Sequence, residues 1–269
     1  MSDWLSSYEA KGYHFPLRVF SEAQALQYRS VLEELESSHR SDPDLKLAIG
    51  QSNALIPFVD EITRSDAVLN PVRNILGPNI LVWNSSFFIK EPKTKDFISW
   101  HQDLTYWGLT DNHEVTAWIA LSQASIQSGC MKFVPGSHMG SIVEHRDTFD
   151  EHNLLSRGQE LAVEVDEESA VNVELAPGEM SLHHGQVFHG SNANQSNDRR
   201  IGLAIRYITP DMKQSIAEKT NATLVAGIDE FNHFNLRKSP IGTMNENDIE
   251  AVKRDIAIKE SFLMAGIKR

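Results

Sequence analysis

Ile80-Leu81-Val82-Trp83-Asn84-Ser85-Ser86-Phe87-Phe88-Ile89-Lys90 is the stretch at which the chain changes its period. Before it, apolar residues recur at helical spacing. Ser21-Glu22-Ala23-Gln24 reads as a capping box, with Ala25, Tyr28, Val31, Leu32 and Leu35 following at helical intervals. A second helix is expected over Asp60–Leu76, ending before Gly77-Pro78, with Asn70-Pro71 as a break. From residue 80 onward short apolar runs take over: Val115–Leu121, Met131–Val134, Leu161–Val165, Val171–Leu175, Met180–His184 and Ile201–Ile208. Turn residues such as Pro135-Gly136 and Pro177-Gly178 separate many of them. Many short strands punctuated by turns predict a sandwich or barrel, and a jelly roll offers an interior for a ligand. The tail from Asp248 to Lys268 reads as helix. The expected fold is mainly β with flanking α-helices. It forms one domain over residues 1–269: a helical part to about 78, a core of about 80–210 and a helical extension beyond.

Bulk properties narrow the function. At 269 residues the chain can bury a sizeable core. A net charge of −12 argues against a nucleic-acid binder, which needs a basic face. The lone Cys130 excludes an internal disulfide, and Met1-Ser2-Asp3-Trp4-Leu5 lacks a basic region followed by an apolar core. A cytoplasmic location is therefore expected, with no membrane span. The expected partner is a small-molecule substrate, and a homodimer is compatible with this reading.

Chemistry enters at Trp100-His101-Gln102-Asp103. Residues two apart on a strand share a face, so His101 and Asp103 can point into one cavity. Alone, the pair also suits a hydrogen-bonded histidine beside a turn cap. A second histidine would complete two nitrogens and one carboxylate, a set that suits non-haem Fe(II). Three histidines are available: His183, His184 and His189. Ser191 lies two residues beyond His189, and Arg200 follows eleven residues after it, at the start of a predicted strand. An antiparallel return would bring Arg200 beside His189, where its planar fork could grip a carboxylate. His183 and His184 read more simply as strand residues near the cavity.

With these residues in view, the sequence resembles the phytanoyl-CoA dioxygenase family of Fe(II)- and 2-oxoglutarate-dependent oxygenases. The matching segments are Trp100–Asp103, Val115–Leu121, Gly129–His138, Gly178–His183, and His189-Gly190-Ser191 through Asn194, Ser196 and Arg200. The resemblance covers residues 80–210 in the family's order. It implies a double-stranded β-helix of the jelly-roll, cupin-like kind. It implies that His101, Asp103 and His189 bind iron. It implies that Arg200 pairs with the distal carboxylate of 2-oxoglutarate, with Ser191 at the same end and Trp118 and Gln102 beside the co-substrate. The implied cofactors are Fe(II), 2-oxoglutarate and O2, and the implied reaction releases succinate and CO2. Related halogenases carry a small residue in place of the carboxylate, so Asp103 implies hydroxylation.

The substrate is less legible. Asn84, Ser86, Phe88 and Lys90 share one strand face before the metal motif. Tyr106 and Trp107 follow it, and Arg206 lies six residues past Arg200, on the same face by parity. Arg146 and Arg157 sit in the polar segment 145–159, which reads as a lid or as an ordinary surface connection. The expected substrate contacts are Asn84, Ser86, Tyr106, Trp107, Arg206 and Arg157. They favour a small polar or anionic metabolite, for example a phosphonate or an amino-acid-like compound. The alternatives are an acyl-CoA or natural-product hydroxylase, a metal enzyme that does not use 2-oxoglutarate, and a catalytically silent jelly-roll binding protein.

Overall fold

The structure, a computed structural model, describes residues 3–155, 157–215 and 218–265. The side chains of residues 3, 106 and 260–265 lie outside that description. The helices are α1 (Asp3–Lys11), α2 (Glu22–Ser38), α3 (Leu45–Gly50), α4 (Ser52–Leu55), α5 (Pro57–Arg64), α6 (Asp66–Leu76), α7 (Leu104–Trp107) and α8 (Glu246–Ala265). The strands of the first half are β1 (Tyr13–Arg18), β2 (Ile80–Lys90), β3 (Ile98–His101), β4 (Glu114–Ala120) and β5 (Met131–Phe133). Then come β6 (His145–Asp147), β7 (Gln159–Leu161), β8 (Val171–Val173), β9 (Glu179–His183) and β10 (His189–Ser191). The last are β11 (Arg200–Ile208), β12 (Asn221–Ala226) and β13 (Asn235–Leu236). The chain divides into two compact units.

The first unit comprises Met1–Val31, Phe88–Thr105 and Thr116–Ala204. One of its sheets runs in the order β1-β9-β4-β11, the other in the order β3-β10-β5-β8. Their inner faces interdigitate as one core. Tyr13, Trp118, Ala120 and Ala204 come from the first sheet; Met131, Phe133 and Val173 come from the second. This is the two-sheet wall of a jelly roll. Register is set by the pairs Thr116↔His183 and Trp118↔Ser181 in one sheet, and by His189↔His101 and His189↔Phe133 in the other. The hairpin β6–β7 pairs His145 with Leu161.

The second unit comprises Leu32–Phe87, Tyr106–Val115 and Ile205–Arg269. Its strand order is β11-β2-β12-β13, packed around Leu81, Ile208, Met212, Ala222 and Phe234. A buried polar knot ties helix to sheet. Ser85 Oγ meets Ser52 Oγ at 2.7 Å and accepts from Asn53 N at 2.8 Å, while Asn53 Nδ2 donates to Thr223 Oγ1 at 3.2 Å. Each member is inaccessible to water and would be costly unpaired.

The mainly β fold with flanking helices is the expected one, and several local readings need correction. The capping box is formed: Gln24 N donates to Ser21 Oγ at 3.2 Å, and Ser21 N donates to Gln24 Oε1 at 3.1 Å. The single helix expected over 60–76 is two helices parted at Ser65, whose ψ of 136° is extended. Pro71 lies inside α6 and does not break it. The strand expected at Leu161–Val165 instead ends at Leu161, where its pairing with β6 stops. The tail helix begins at Glu246, and the end expected for it at Lys268 lies outside the described residues. No described helix is long and apolar enough to cross a membrane.

Candidate metal and acid-binding site

The centre of the site lies in the first unit, where β3 and β10 run side by side. His101 closes β3, and its Nδ1 bonds Ser99 O at 2.9 Å. His189 opens β10, and its Nδ1 bonds Val187 O at 2.9 Å. With both Nδ1 atoms spoken for, each ring turns Nε2 toward Asp103, in the turn that starts α7. His101 Nε2 stands 3.2 Å and His189 Nε2 3.8 Å from Asp103 Oδ1. The ligand atoms of the three residues lie within 4.8 Å of one another. Such backbone bonds to the far ring nitrogen fix tautomer and orientation in metal-ligating histidines. Burial, and then the neighbouring His101, hold the His189 imidazole well below its ordinary pKa, so it is neutral and available as a ligand.

Of the two rival histidines, His183 borders the cluster. Its Nε2 is 4.0 Å from Asp103 Oδ2, and its ring is 4.8 Å from that of His189. His184 turns the other way: its Nδ1 accepts from Gln186 N at 3.1 Å, and its ring lies 5.5 Å from His138.

Arg200, at the head of β11, is fully buried, and none of its three guanidinium nitrogens has a hydrogen-bond partner among the described residues. A buried guanidinium left in this state calls for an anion. Burial lowers its pKa to about 10, which leaves it cationic at neutral pH. Its Cζ lies 5.3 Å from the Trp118 ring. Trp118 reaches that position because residue 202 is glycine: a Cβ there would overlap the indole. Ser191, on β10, is buried and accepts at Oγ from Lys90 Nζ at 2.6 Å. The hydroxyls of Thr116 and Ser181 are also buried without a partner among the described residues, which adds polar capacity to the interior.

Other expected contacts are employed differently. Gln102 is buried, its Oε1 accepting from Val143 N and its Nε2 donating to Gln186 O, both at 2.9 Å. Gln102 N donates to His145 Nε2 at 3.0 Å. This residue braces the metal loop against the start of the β6–β7 hairpin. Arg157 pairs with Asp147 at 3.5 Å inside that hairpin. The segment 145–159, open in the sequence between a lid and a surface connection, is tied to β3 and the residue before it: Phe97 N donates to His152 O at 3.0 Å, and Asn153 Nδ2 donates to Ser99 Oγ at 2.8 Å.

In the second unit, Arg206 donates to Ser86 Oγ at 2.6 Å and lies 5.9 Å from the Trp107 ring, which stacks on Trp83 at 5.1 Å. Asn84 Oδ1 is buried without a partner among the described residues. The side chain of Tyr106 lies outside the described residues. Sequence reasoning missed Gly202 and the tie from Lys90 to Ser191. A lysine ending a largely apolar strand was the available signal, since such an amine must find acceptors.

A two-sheet jelly roll with a clustered His-Asp-His set and a buried unpaired arginine defines a recognisable class of protein. A family model described as phytanoyl-CoA dioxygenase matches residues 8–202, and the chain belongs to that family. Among curated relatives it is 32% identical over 156 residues to a probable alpha-ketoglutarate-dependent hypophosphite dioxygenase of Stutzerimonas stutzeri, covering 57% of this chain and 54% of that one. It is 24% identical over 148 residues to the peroxisomal phytanoyl-CoA dioxygenase of Homo sapiens, covering 54% and 44%. The chain thus spans about half the length of the curated relatives it matches. Among solved structures, the non-heme monooxygenase ThoJ in its apo form superposes with a TM-score of 0.87 at 27% identity, over 98% of each chain.

Proposed function

We propose that this protein is an Fe(II)- and 2-oxoglutarate-dependent dioxygenase that hydroxylates an unactivated C–H of a small polar or anionic metabolite. The observation that carries the reading is the pairing of a His101–Asp103–His189 cluster with a buried arginine whose guanidinium has no hydrogen-bond partner among the described residues. Two neutral imidazoles and one carboxylate are the donor set that suits Fe(II) with open positions. Arg200, Ser191 and Trp118 are the residues we assign to the far carboxylate of the co-substrate. Bound iron supplies oxygen activation, coupled to decarboxylation of 2-oxoglutarate to succinate and CO2. The chain's own contribution is placement and exclusion of water. The histidines are oriented by backbone carbonyls, Gln102 holds the intervening loop, and Trp118 and Phe133 wall the interior.

For the substrate we propose that Arg206, held by Ser86 beside Trp107, meets an anionic or polar group. The relatives' names span hypophosphite and phytanoyl-CoA, and an acyl-CoA would need a basic surface for its phosphates. A chain of net charge −12 with a polar Asn84–Ser86–Arg206 face favours the smaller class. We also assign the chain a single functional domain. A substrate screen following succinate formation tests the proposal. Turnover with phosphonates or amino-acid-like compounds is expected, and robust turnover with acyl-CoAs alone would overturn the preference.

A further inference from the structure

Lys90 ends β2 as a wholly buried amine in the first unit. Its Nζ donates to Ser191 Oγ at 2.6 Å, Ser191 O at 3.2 Å and Asn192 O at 2.5 Å. Three acceptors match the three N–H bonds of an ammonium, so the geometry suits the charged form. None of the three is a carboxylate, so the charge is solvated but not neutralised. Arg200, whose guanidinium has no hydrogen-bond partner among the described residues, adds a second positive group. Burial first, and then Arg200, pull the Lys90 pKa down to about 6; Cys130 and Asp96 oppose this more weakly.

The contacts around Ser191 have a directional consequence. A hydroxyl has one proton, and when Lys90 donates to its oxygen that proton is left to donate elsewhere. The segment that carries it is pinned on other sides as well. Asn194 Nδ2 donates to Lys90 O at 3.0 Å. Gly129, at φ +71°, packs so closely on Asn192 O that a side chain there would collide with it.

We propose that Lys90 is a positioning residue for the distal carboxylate of a dicarboxylic 2-oxo acid, holding Ser191 as a hydrogen-bond donor and giving the Arg200 pocket its second positive charge. This rests on the oxygenase reading above. Before the acid enters, burial and the neighbouring Arg200 keep Lys90 largely neutral near neutral pH; entry of the distal carboxylate supplies the opposing charge, and Lys90 takes up a proton as it binds. A 2-oxo acid that lacks this carboxylate gains nothing from Lys90 and takes up no proton there.

Anaerobic titration calorimetry of the full chain loaded with Mn(II) tests this, with 2-oxoglutarate and 2-oxopentanoate as probes in buffers of different ionisation enthalpy near neutral pH. The wild-type protein is expected to bind 2-oxoglutarate with proton uptake, and 2-oxopentanoate more weakly and without it. Lys90→Met is expected to weaken 2-oxoglutarate about tenfold or more, abolish the uptake and leave 2-oxopentanoate unchanged. If that variant does not fold, the wild-type uptake still decides. Wild-type binding of 2-oxoglutarate without uptake, or a variant that weakens both acids equally, overturns the role of Lys90 and leaves the oxygenase reading standing. Wild-type protein that binds neither acid overturns both.

Discussion

The indole of Trp118 occupies the space into which a side chain at Gly202 would project, with Cζ2, Cε2 and Cη2 all in its way. Two neighbouring strands thus cooperate, one leaving out a side chain so that the other can lay a ring beside Arg200. Gly202→Ala is expected to cost about 1–3 kcal/mol by overpacking and to shift the tryptophan emission as the indole moves. Urea unfolding with fluorescence detection checks both. An unchanged midpoint and spectrum would contradict the close approach.

Arg200 combines a functional asset with a stability cost. It is buried and cationic, and its guanidinium has no hydrogen-bond partner among the described residues. Arg200→Met should stabilise the ligand-free protein by about 1–3 kcal/mol, because an uncompensated buried charge is removed. The same change should weaken 2-oxoglutarate by roughly 100-fold, through loss of a charge-assisted fork. Thermal melts with and without 2-oxoglutarate report both: the ligand-free melt rises, and the ligand-induced rise disappears.

His183 and His189 lie one ring apart, yet the proposal gives them unequal parts. His189→Ala is expected to abolish stoichiometric iron binding. His183→Ala should keep one iron per chain, with affinity reduced by at most about 100-fold, the range for groups that support ligands. Metal analysis after desalting separates them. The reverse ranking would move the third ligand to His183.

Lys90 should also leave a mark on the pH dependence of stability. Its folded-state pKa is about 6 against an ordinary value of 10.5, so between those values the unfolded chain binds more protons than the folded one. Stability therefore rises with pH across that window, being complete above 10.5 and lost as pH falls toward 6. Lys90→Met should flatten this part of the curve. Urea midpoints of the two proteins between pH 7 and pH 9 give the comparison, and parallel curves would contradict it.

Much of this was legible in the sequence, for reasons that differ from element to element. The run Ile80–Lys90 matches β2 because eleven residues rich in β-branched and aromatic side chains carry enough signal to be read, even without strict alternation. β3 and β10, which hold His101 and His189, are four and three residues long and carry almost no periodic signal. Their positions are set by pairing with each other and with β5, a long-range relation. Period two within a strand predicts that His101 and Asp103 face one cavity; they do meet, but β3 ends at His101 and Asp103 lies in the turn that follows, so the turn and not the strand brings the carboxylate round. Among His183, His184 and His189, the positions of Ser191 and Arg200 already favour His189, and the family resemblance implies the same residue. The sequence offers Gln102 as a co-substrate contact because it lies inside the iron motif, and Arg157 as a substrate contact because it lies in the polar segment 145–159; their protein partners are not legible there. In the fold the Gln102 amide bonds Val143 and Gln186, and Arg157 forms an ion pair with Asp147, partners distant in sequence or across a hairpin. Parity puts Lys90 on one strand face with Asn84, Ser86 and Phe88, but its acceptors come from residues 191 and 192, about a hundred positions on.

The most direct test of the central claim is oxygen consumption measured together with succinate, using Fe(II), 2-oxoglutarate and a panel of small polar and anionic metabolites. We predict that oxygen uptake and succinate rise in step, require both iron and 2-oxoglutarate, and vanish in Asp103→Ala. Uptake that proceeds equally well without 2-oxoglutarate, or no uptake with any member of the panel in a protein that holds its iron, would contradict the account.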